Sequence, residues 1–496
     1  MNRREFLANG SMAAAVAKLP RTTAKRPNVL YILCDEWRAQ SLGYAGDPNV
    51  KTPAIDALAA QSVNVSQMIS GLPVCCPYRA TLMTGQYPLT HGVFINDVPL
   101  EPKDTTLGEA FQHAGYKTGY IGKWHLYGSP DGHYGRRESY IPPDKRFGFE
   151  YWKACECTHD YNKSIYYEGN DPTPKIWPGY DAIAQTDDAC NFLADHAKQK
   201  DPFFLVLSFG PPHFPLHTAP ADDQAMWKGH NIVLRPNVPK ELAEQAKNDL
   251  RGYYAHMTAL DECVKKLMEM LDKQGLADDT IVIFTADHGD MMRSQGLTTK
   301  QFPWEESLRV PFLIRSPKQL GRNGRENKLL MSAVDIMPTL LGMCSIPVPK
   351  TVQGTDYSRV LRNQSHGPLP TSAFLNLPAS FSMSRRYGIA AYRGVRTARY
   401  TYVRSEYGPW LLYDNERDPY QMHNLIGKPE AAATQKQLET ELQSWLHRLN
   451  DEFLPGREYL ERAHLLHYGE AQEKIGHVKS PWGDWESTLP QTPLAS

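Results

Sequence analysis

The stretch Gly71–Gly85, GLPVCCPYRATLMTG, holds two adjacent cysteines, a proline and an arginine. Read as C-x-P-x-R, it places Cys75, Pro77 and Arg79 in one fixed local geometry. Pro77 locks its own φ and biases its predecessor toward extended structure, so the chain is expected to turn just after Cys75. Arg79 to Met83 then predicts the start of a helix, which leaves Cys75 near its N-terminus. Free N–H groups and the positive end of the helix dipole favour an anion there. A guanidinium four residues on from Cys75 can reach the same anion.

Other groups of chemical use stand at the ends of apolar runs. Val29–Cys34 is an unbroken apolar run, as in a strand buried on both faces of a parallel sheet, and it ends in Asp35 and Glu36. Thr118–Ile121 predicts a short strand followed by Gly122-Lys123-Trp124-His125. Lys123 and His125 are spaced by two and face the same side if the backbone stays extended. Phe203–Phe209 runs into His213, with His217 expected outside the pocket. Thr280–Ala286 ends in Asp287 and His288. Four parallel strands that each end in a reactive group imply one shared crevice. Asp35, Glu36 and Asp287 together call for a hard cation, Ca²⁺ or Mg²⁺. Without one, three carboxylates in one pocket raise each other's pKa.

Cys75-Cys76-Pro77-Tyr78-Arg79, continuing to Thr84-Gly85, resembles the signature of the type I sulfatases of the alkaline-phosphatase superfamily. Gly122-Lys123-Trp124-His125 resembles the second motif of that family, and Val334–Leu341 fits a late one. The resemblance covers roughly residues 27 to 450. It implies that Cys75, not Cys76, is oxidised by a formylglycine-generating enzyme to the aldehyde 3-oxoalanine (formylglycine). It implies metal ligation by Asp35, Glu36, Cys75, Asp287 and His288, and catalysis by Cys75, Arg79, Lys123, His125, His213 and Lys300. In the implied mechanism one hydroxyl of the hydrated aldehyde attacks sulfur. Lys123, Lys300 and Arg79 neutralise the sulfuryl oxygens, and His213 with Lys300 protonates the departing alkoxide. His125 then takes a proton from the second hydroxyl, the aldehyde reforms and sulfate leaves. A plain thiol has no second hydroxyl for that step. The chain departs from the family in Glu36, where a second aspartate is usual, in Tyr78, where a small residue is common, and in Arg293–Gly296, which interrupt a tidier motif.

The expected activity is hydrolysis of a sulfuric ester, with a sulfated carbohydrate as the expected substrate class. A phosphonate or phosphate monoester hydrolase of the same superfamily is the nearest alternative. A carbohydrate-binding relic with unmodified Cys75 is the alternative of another class.

The chain has 496 residues and a formal net charge of −1, which argues against nucleic-acid binding by bulk electrostatics. Eight cysteines form no dense framework. Cys155-x-Cys157-x-His159 lacks the second half of a zinc site and reads as ordinary thiols. Residues 1–24 carry Arg3-Arg4 and an alanine-rich run, like a twin-arginine export signal, so a periplasmic or secreted location is expected. No apolar run is long enough to span a membrane. The expected fold is α/β, a large mostly parallel sheet sandwiched by helices over residues 25–370. A smaller antiparallel sheet-plus-helix subdomain and tail are expected over 371–496. Residues 127–180, rich in aromatic residues, Pro and Gly, read as an insertion over the site. Most of its aromatic residues are expected to pack within it.

Overall fold

The computed structural model describes residues 26–128 and 137–468, so the export-signal-like segment lies outside the described residues. The strands of the main sheet are β1 (Asn28–Asp35), β2 (Val63–Ile69), β3 (Lys117–Lys123), β4 (Tyr151–Cys155), β5 (Ile165–Glu168), β6 (Lys175–Ile176), β7 (Phe203–Pro212), β8 (Thr280–Ala286), β9 (Phe312–Arg315) and β10 (Arg325–Ser332). They lie in the order β10-β2-β9-β8-β1-β7-β3-β4-β5-β6. The four strands chosen from their apolar runs are therefore consecutive, β8-β1-β7-β3, and pair in parallel. Every residue of β1, β7 and β8 is buried, as the continuous hydrophobic runs require of strands covered on both faces. Fully burying one such Leu, Ile or Val side chain contributes ~1.5–3 kcal/mol, so the centre of the sheet is its most secure part.

Helices cover this sheet in two groups. The long helix Ala243–Lys273 packs against Asp181–His196, Pro53–Ala59 and β7. Its buried stripe, Leu250, Tyr253, Met257, Leu260, Val264, Leu267 and Leu271, has the spacing of an amphipathic helix. Cys75–Thr84, Leu107–His113 and Ile336–Met343 form the second group. Thr52 precedes Pro53–Ala59 but its side chain makes no cap hydrogen bond to that helix. Its hydroxyl donates to the Asp56 carboxylate and accepts from the Gly43 N–H instead.

The segment expected to lie over the site instead extends the sheet. β4 adds in parallel beside β3, and β5 and β6 follow antiparallel. Its aromatic side chains are used in packing: Tyr166 stacks on Trp177 with centroids 4.0 Å apart, and Trp152 packs edge-on against Trp124. Phe147 and Phe149 join the same cluster.

A second sheet, β11 (Ser372–Leu377), β12 (Tyr392–Thr397), β13 (Tyr400–Ser405) and β14 (Gly408–Asp414), is an antiparallel meander. Helix Ala432–Leu449 covers it with Leu438, Leu442, Trp445 and Leu446. Arg396 of β12 pairs with Glu305 at 2.8 Å, and Gln421 accepts from the Glu305 N–H at 2.9 Å. The small sheet is thus tied by buried polar contacts to the loop that carries Lys300. Among the described residues no helix is long and apolar enough to cross a membrane.

Candidate active site

Cys75 is the first residue of helix Cys75–Thr84, which therefore starts four residues earlier than expected at Arg79. Val74 is extended, and its carbonyl accepts from the Tyr78 N–H at 2.9 Å. Proline is tolerated in a first turn because the N–H it lacks has no intrahelical partner there. Cys75 and Arg79 consequently share one face of the helix, four residues apart. Gly85 ends the helix with φ of 62°, a left-handed conformation that suits glycine.

Around the Cys75 Sγ lie Lys300 Nζ at 3.2 Å, His288 Nε2 at 3.2 Å, Asp35 Oδ1 at 3.6 Å and Lys123 Nζ at 3.8 Å. All are buried. Burial and Asp35 oppose a charge on the thiol, but Lys123, Lys300 and His288 together hold it well below the usual thiol range. The structure is thus built to hold an anion at this position.

Each neighbour arrives from the end of an element. Asp35 closes β1 and Lys123 closes β3, and the two are ion-paired. Leu33 pairs with Ser208 but Asp35 with Pro212, so β7 takes extra residues over this interval. That irregularity carries the chain to His213, whose Nε2 lies 3.2 Å from Glu36 Oε2. Asp287 follows β8, accepts from the Glu36 N–H at 3.1 Å and pairs with Arg79 at 3.1 Å. Lys300 comes from a loop in which Thr299 and Gln301 both have positive φ, 63° and 83°. The short helix Ser382–Arg386, between β11 and β12, braces that loop, since Gln301 Oε1 accepts from the Ser384 N–H at 2.7 Å. Positive φ at side-chain-bearing residues costs energy and is tolerated where the surroundings over-determine it.

Arg79 is engaged behind this group through both terminal nitrogens, while its Nε is buried without a partner. It donates to the Lys123 carbonyl at 2.9 Å, to Ser208 Oγ at 2.8 Å and to Asp287 at 3.1 Å, with Asp35 at 3.5 Å. It is turned to the acids rather than to the thiol, so its charge reaches the Cys75 position through the carboxylates it holds.

His125 does not continue the extended strand. Its φ is 57°, and its ring is turned to Asp97, with Nε2 2.9 Å from Asp97 Oδ1. Lys123 and His125 therefore serve different partners, contrary to the expectation from their spacing. Asp97 has a φ of 63° and is held by two hydrogen bonds from Arg137, both at 2.8 Å. Hydrogen bonds from His125 and Arg137 outweigh burial and keep the Asp97 carboxyl below the carboxylate range. An ionised carboxylate only accepts, so Nε2 carries a proton, and Nδ1 holds a lone pair only when the ring is neutral. Nδ1 is buried without a hydrogen-bond partner. Burial disfavours the charged ring, but Cys76, Cys157 and Asp97 raise the His125 pKa well above its usual value. The Cys76 Sγ accepts from the Asp97 N–H at 3.3 Å.

Besides Asp97, Ser208 and Glu156 hold this region. Ser208 links Arg79 to the Lys123 carbonyl. Glu156 accepts from the N–H groups of Leu126, Tyr127 and Gly128 and so fixes the loop after His125. Glu156 lies within Cys155-x-Cys157, the one sign of it in the sequence. Cys155 is an ordinary buried thiol, pushed up by burial, whereas Lys123, His125 and His159 hold Cys157 well below the thiol range. Tyr78, the departure from the family's small residue, is in the core beside Tyr31 and not in the crevice. His217 is exposed, outside the group.

The donor set fits a hard cation. Asp35, Cys75, Asp287 and His288 offer ligand atoms all within 4.8 Å of one another, and Asp35, Glu36 and His213 do the same. Both carboxylate oxygens of Glu36 are buried with no hydrogen-bond donor. Burial pushes the Glu36 carboxyl well up, with only Lys300 opposing; burial and Asp35 raise Asp287. By contrast burial is overcome at Asp35, which Lys123 first and then Lys300 hold well below its usual value. A divalent ion would relieve the strained carboxylates. His288 Nδ1 lies 3.0 Å from the Gly289 carbonyl and carries a proton; burial is outweighed by Asp287, which raises the ring's pKa, so Nε2 is protonated beside the acids and would give up that proton to ligate an ion. His213 has its Nδ1 on the Phe214 carbonyl at 2.9 Å, and burial with Lys300 keeps the ring neutral.

The sequence model of the Sulfatase family matches residues 27–346, and that of the N-sulphoglucosamine sulphohydrolase C-terminal region matches residues 294–448. The chain belongs to the sulfatase family. It is 41% identical over 466 residues to an ulvan-active sulfatase of Formosa agariphila, covering 92% of this chain and 89% of that one. It is 30% identical over 497 residues to an endo-4-O-sulfatase of Bacteroides thetaiotaomicron, covering 88% and 96%. The structure of a phosphonate monoester hydrolase of Agrobacterium radiobacter shares the fold, with a TM-score of 0.70 at 24% identity over 86% of this chain and 96% of that one. This sulfatase is an enzyme of sulfate-ester hydrolysis, and the crevice around Cys75 is its candidate centre.

Proposed function

We propose that this sulfatase releases inorganic sulfate from a sulfated polysaccharide, with Cys75 as the residue converted to the catalytic aldehyde and a calcium ion in the carboxylate set. The convergence of Lys300, Lys123, His288 and Asp35 on the Cys75 sulfur, at a helix N-terminus, carries this reading. The relatives' names support the substrate class, and the twin-arginine-like segment supports export.

Asp35, Glu36, Asp287 and His288 would hold the ion, with the oxygen on the Cys75 side chain completing the set. Bound there, the ion supplies electrostatic stabilisation of negative charge, and the hydrated aldehyde supplies two hydroxyls on one carbon, one to attack and one to expel sulfate. Lys123 and Lys300 bind the sulfuryl oxygens. Each preorganised donor of this kind is typically worth about 10²–10³ in rate. His213 and Lys300 serve the leaving oxygen from the Glu36 side. His125, with Nε2 fixed by Asp97, takes a proton at Nδ1 when its ring is neutral. Arg79 keeps Asp35 and Asp287 in place.

The test is sulfate release from ulvan, before and after chelation and calcium restoration, alongside an aryl phosphonate ester. Expected is sulfate release that chelation removes and calcium restores, with the phosphonate turned over more slowly. Faster phosphonate cleavage, or no sulfate released by protein carrying the aldehyde, overturns the proposal.

A further inference from the structure

Two adjoining cavities with shared walls open near the crevice. The first, about 310 Å³, is walled by Phe214, the neighbour of His213, and by Thr299, the neighbour of Lys300. Arg293 and Arg386 line it as well. The second, about 620 Å³, shares Phe214 and Asp249 with the first and continues to Lys228 and Arg251. Pockets of several hundred Å³ accept ligands larger than a single sugar ring. The groove thus begins at the chain neighbours of His213 and Lys300 and leads away from them.

Its charge is one-sided although the whole chain carries −1. Four cations line it: Lys228, Arg251, Arg293 and Arg386. Two carboxylates face them. Asp249 is tied to Arg293 at 2.7 Å, and Asp290 is buried, its Oδ1 accepting from the N–H groups of Met292 and Thr299. Arg251 donates only to neutral groups, the His230 carbonyl at 2.9 Å and Asn248 Oδ1 at 2.7 Å. Arg386 and Lys228 are exposed, and neither has an acidic partner among the described residues. At the junction Phe214 is 40% exposed, an aromatic face in a position to cover a sugar ring.

We propose that this groove binds the acidic saccharide chain that flanks the sulfate being cleaved. Arg386 and Arg293 read a sulfate or carboxylate on the adjoining sugar, and Lys228 with Arg251 read the one beyond. The inference rests on the sulfated-polysaccharide reading above and narrows it to a polyanionic chain of several sugars, as opposed to an isolated sulfated sugar. Arg386 comes from the small subdomain, beside Ser384, which braces the Lys300 loop. One short segment therefore supports a catalytic lysine and reads the substrate's neighbour.

The experiment compares kcat/KM for ulvan disaccharide and hexasaccharide in the wild type, Arg386→Ala, Arg386→Glu and the double variant Lys228→Ala/Arg251→Ala. Folding is checked by thermal unfolding. The wild type is expected to prefer the hexasaccharide, and the preference to weaken with added salt. Loss of one charge-assisted contact lowers the hexasaccharide-to-disaccharide ratio about tenfold, and reversal at Arg386 lowers it further. A carboxyl-reduced hexasaccharide identifies the anion: a lost preference assigns carboxylate, a retained one sulfate. Equal wild-type rates on both lengths, or a ratio that no folded variant changes, overturns the groove while leaving the sulfatase reading intact. Absence of sulfate release at every length sinks that reading instead.

Discussion

Cys75 and Cys76 are neighbours on one helical turn, both buried, in surroundings that ask opposite things of them. Cys75 looks into the crevice where Lys123, Lys300 and His288 hold its thiol down; Cys76 faces burial, Asp97 and Glu156, which with only His125 opposing push its thiol up. One pocket gathers charge from four strand ends and one loop; the other is a hydrogen-bonded brace of Asp97, His125 and Arg137. The lesson is that a helix start supplies an anion site only on the face where cations converge. The adjacent residue, a single peptide away, is part of the scaffold.

The largest expected effect tests that division. Cys75→Ala reduces sulfate release to background, whereas Cys76→Ala keeps most activity and costs about 1 kcal/mol of stability in urea unfolding. Equal losses from the two would merge the two environments into one. Lys300→Ala comes next, with kcat/KM for a sulfated oligosaccharide lowered about 10²–10³-fold, because it removes the closest cation from the Cys75 position.

Asp97→Asn is smaller, on the order of 10–100-fold in kcat, as expected for a partner that orients a working group. Asp97 raises the His125 pKa, so the variant lowers it, and the acid limb of the kcat profile moves to lower pH. An unmoved limb with the same loss would make Asp97 structural only.

The smallest effect concerns a third environment around the same helix. His91 donates from Nε2 to Thr81 and accepts from the Val93 N–H, and burial pushes its pKa down to about 3. A depressed histidine leaves the unfolded chain binding more protons below about pH 6.5, so stability falls as pH falls. His91→Asn removes that dependence and flattens the loss of urea stability between pH 7 and 5 by on the order of 1–2 kcal/mol.

The centre of this fold was legible because fully buried parallel strands leave continuous apolar runs, and β1, β7 and β8 each have one. β2 and β10 escaped notice: their outer residues are half-exposed, so Val63–Ile69 and Arg325–Ser332 show no such run. β4 hid within a segment whose aromatic composition suggested a cover for the site. Cys75, Lys123, Asp35 and Asp287 stood in local motifs that survive without neighbours. His125 shows the limit of spacing, since period-two logic fails once φ turns positive. Asp97, Ser208 and Glu156 have no motif. They work through long-range hydrogen bonds, and no local pattern records a partner 28 or more residues away.

The central claim is that Cys75 acts as an aldehyde within this crevice. The most direct measurement is the mass of the peptide containing Cys75, taken from preparations of graded sulfatase activity. The account predicts an aldehyde fraction at Cys75 that rises in proportion to specific activity, with Cys76 an intact thiol throughout. Full activity in protein whose Cys75 remains a thiol would contradict it.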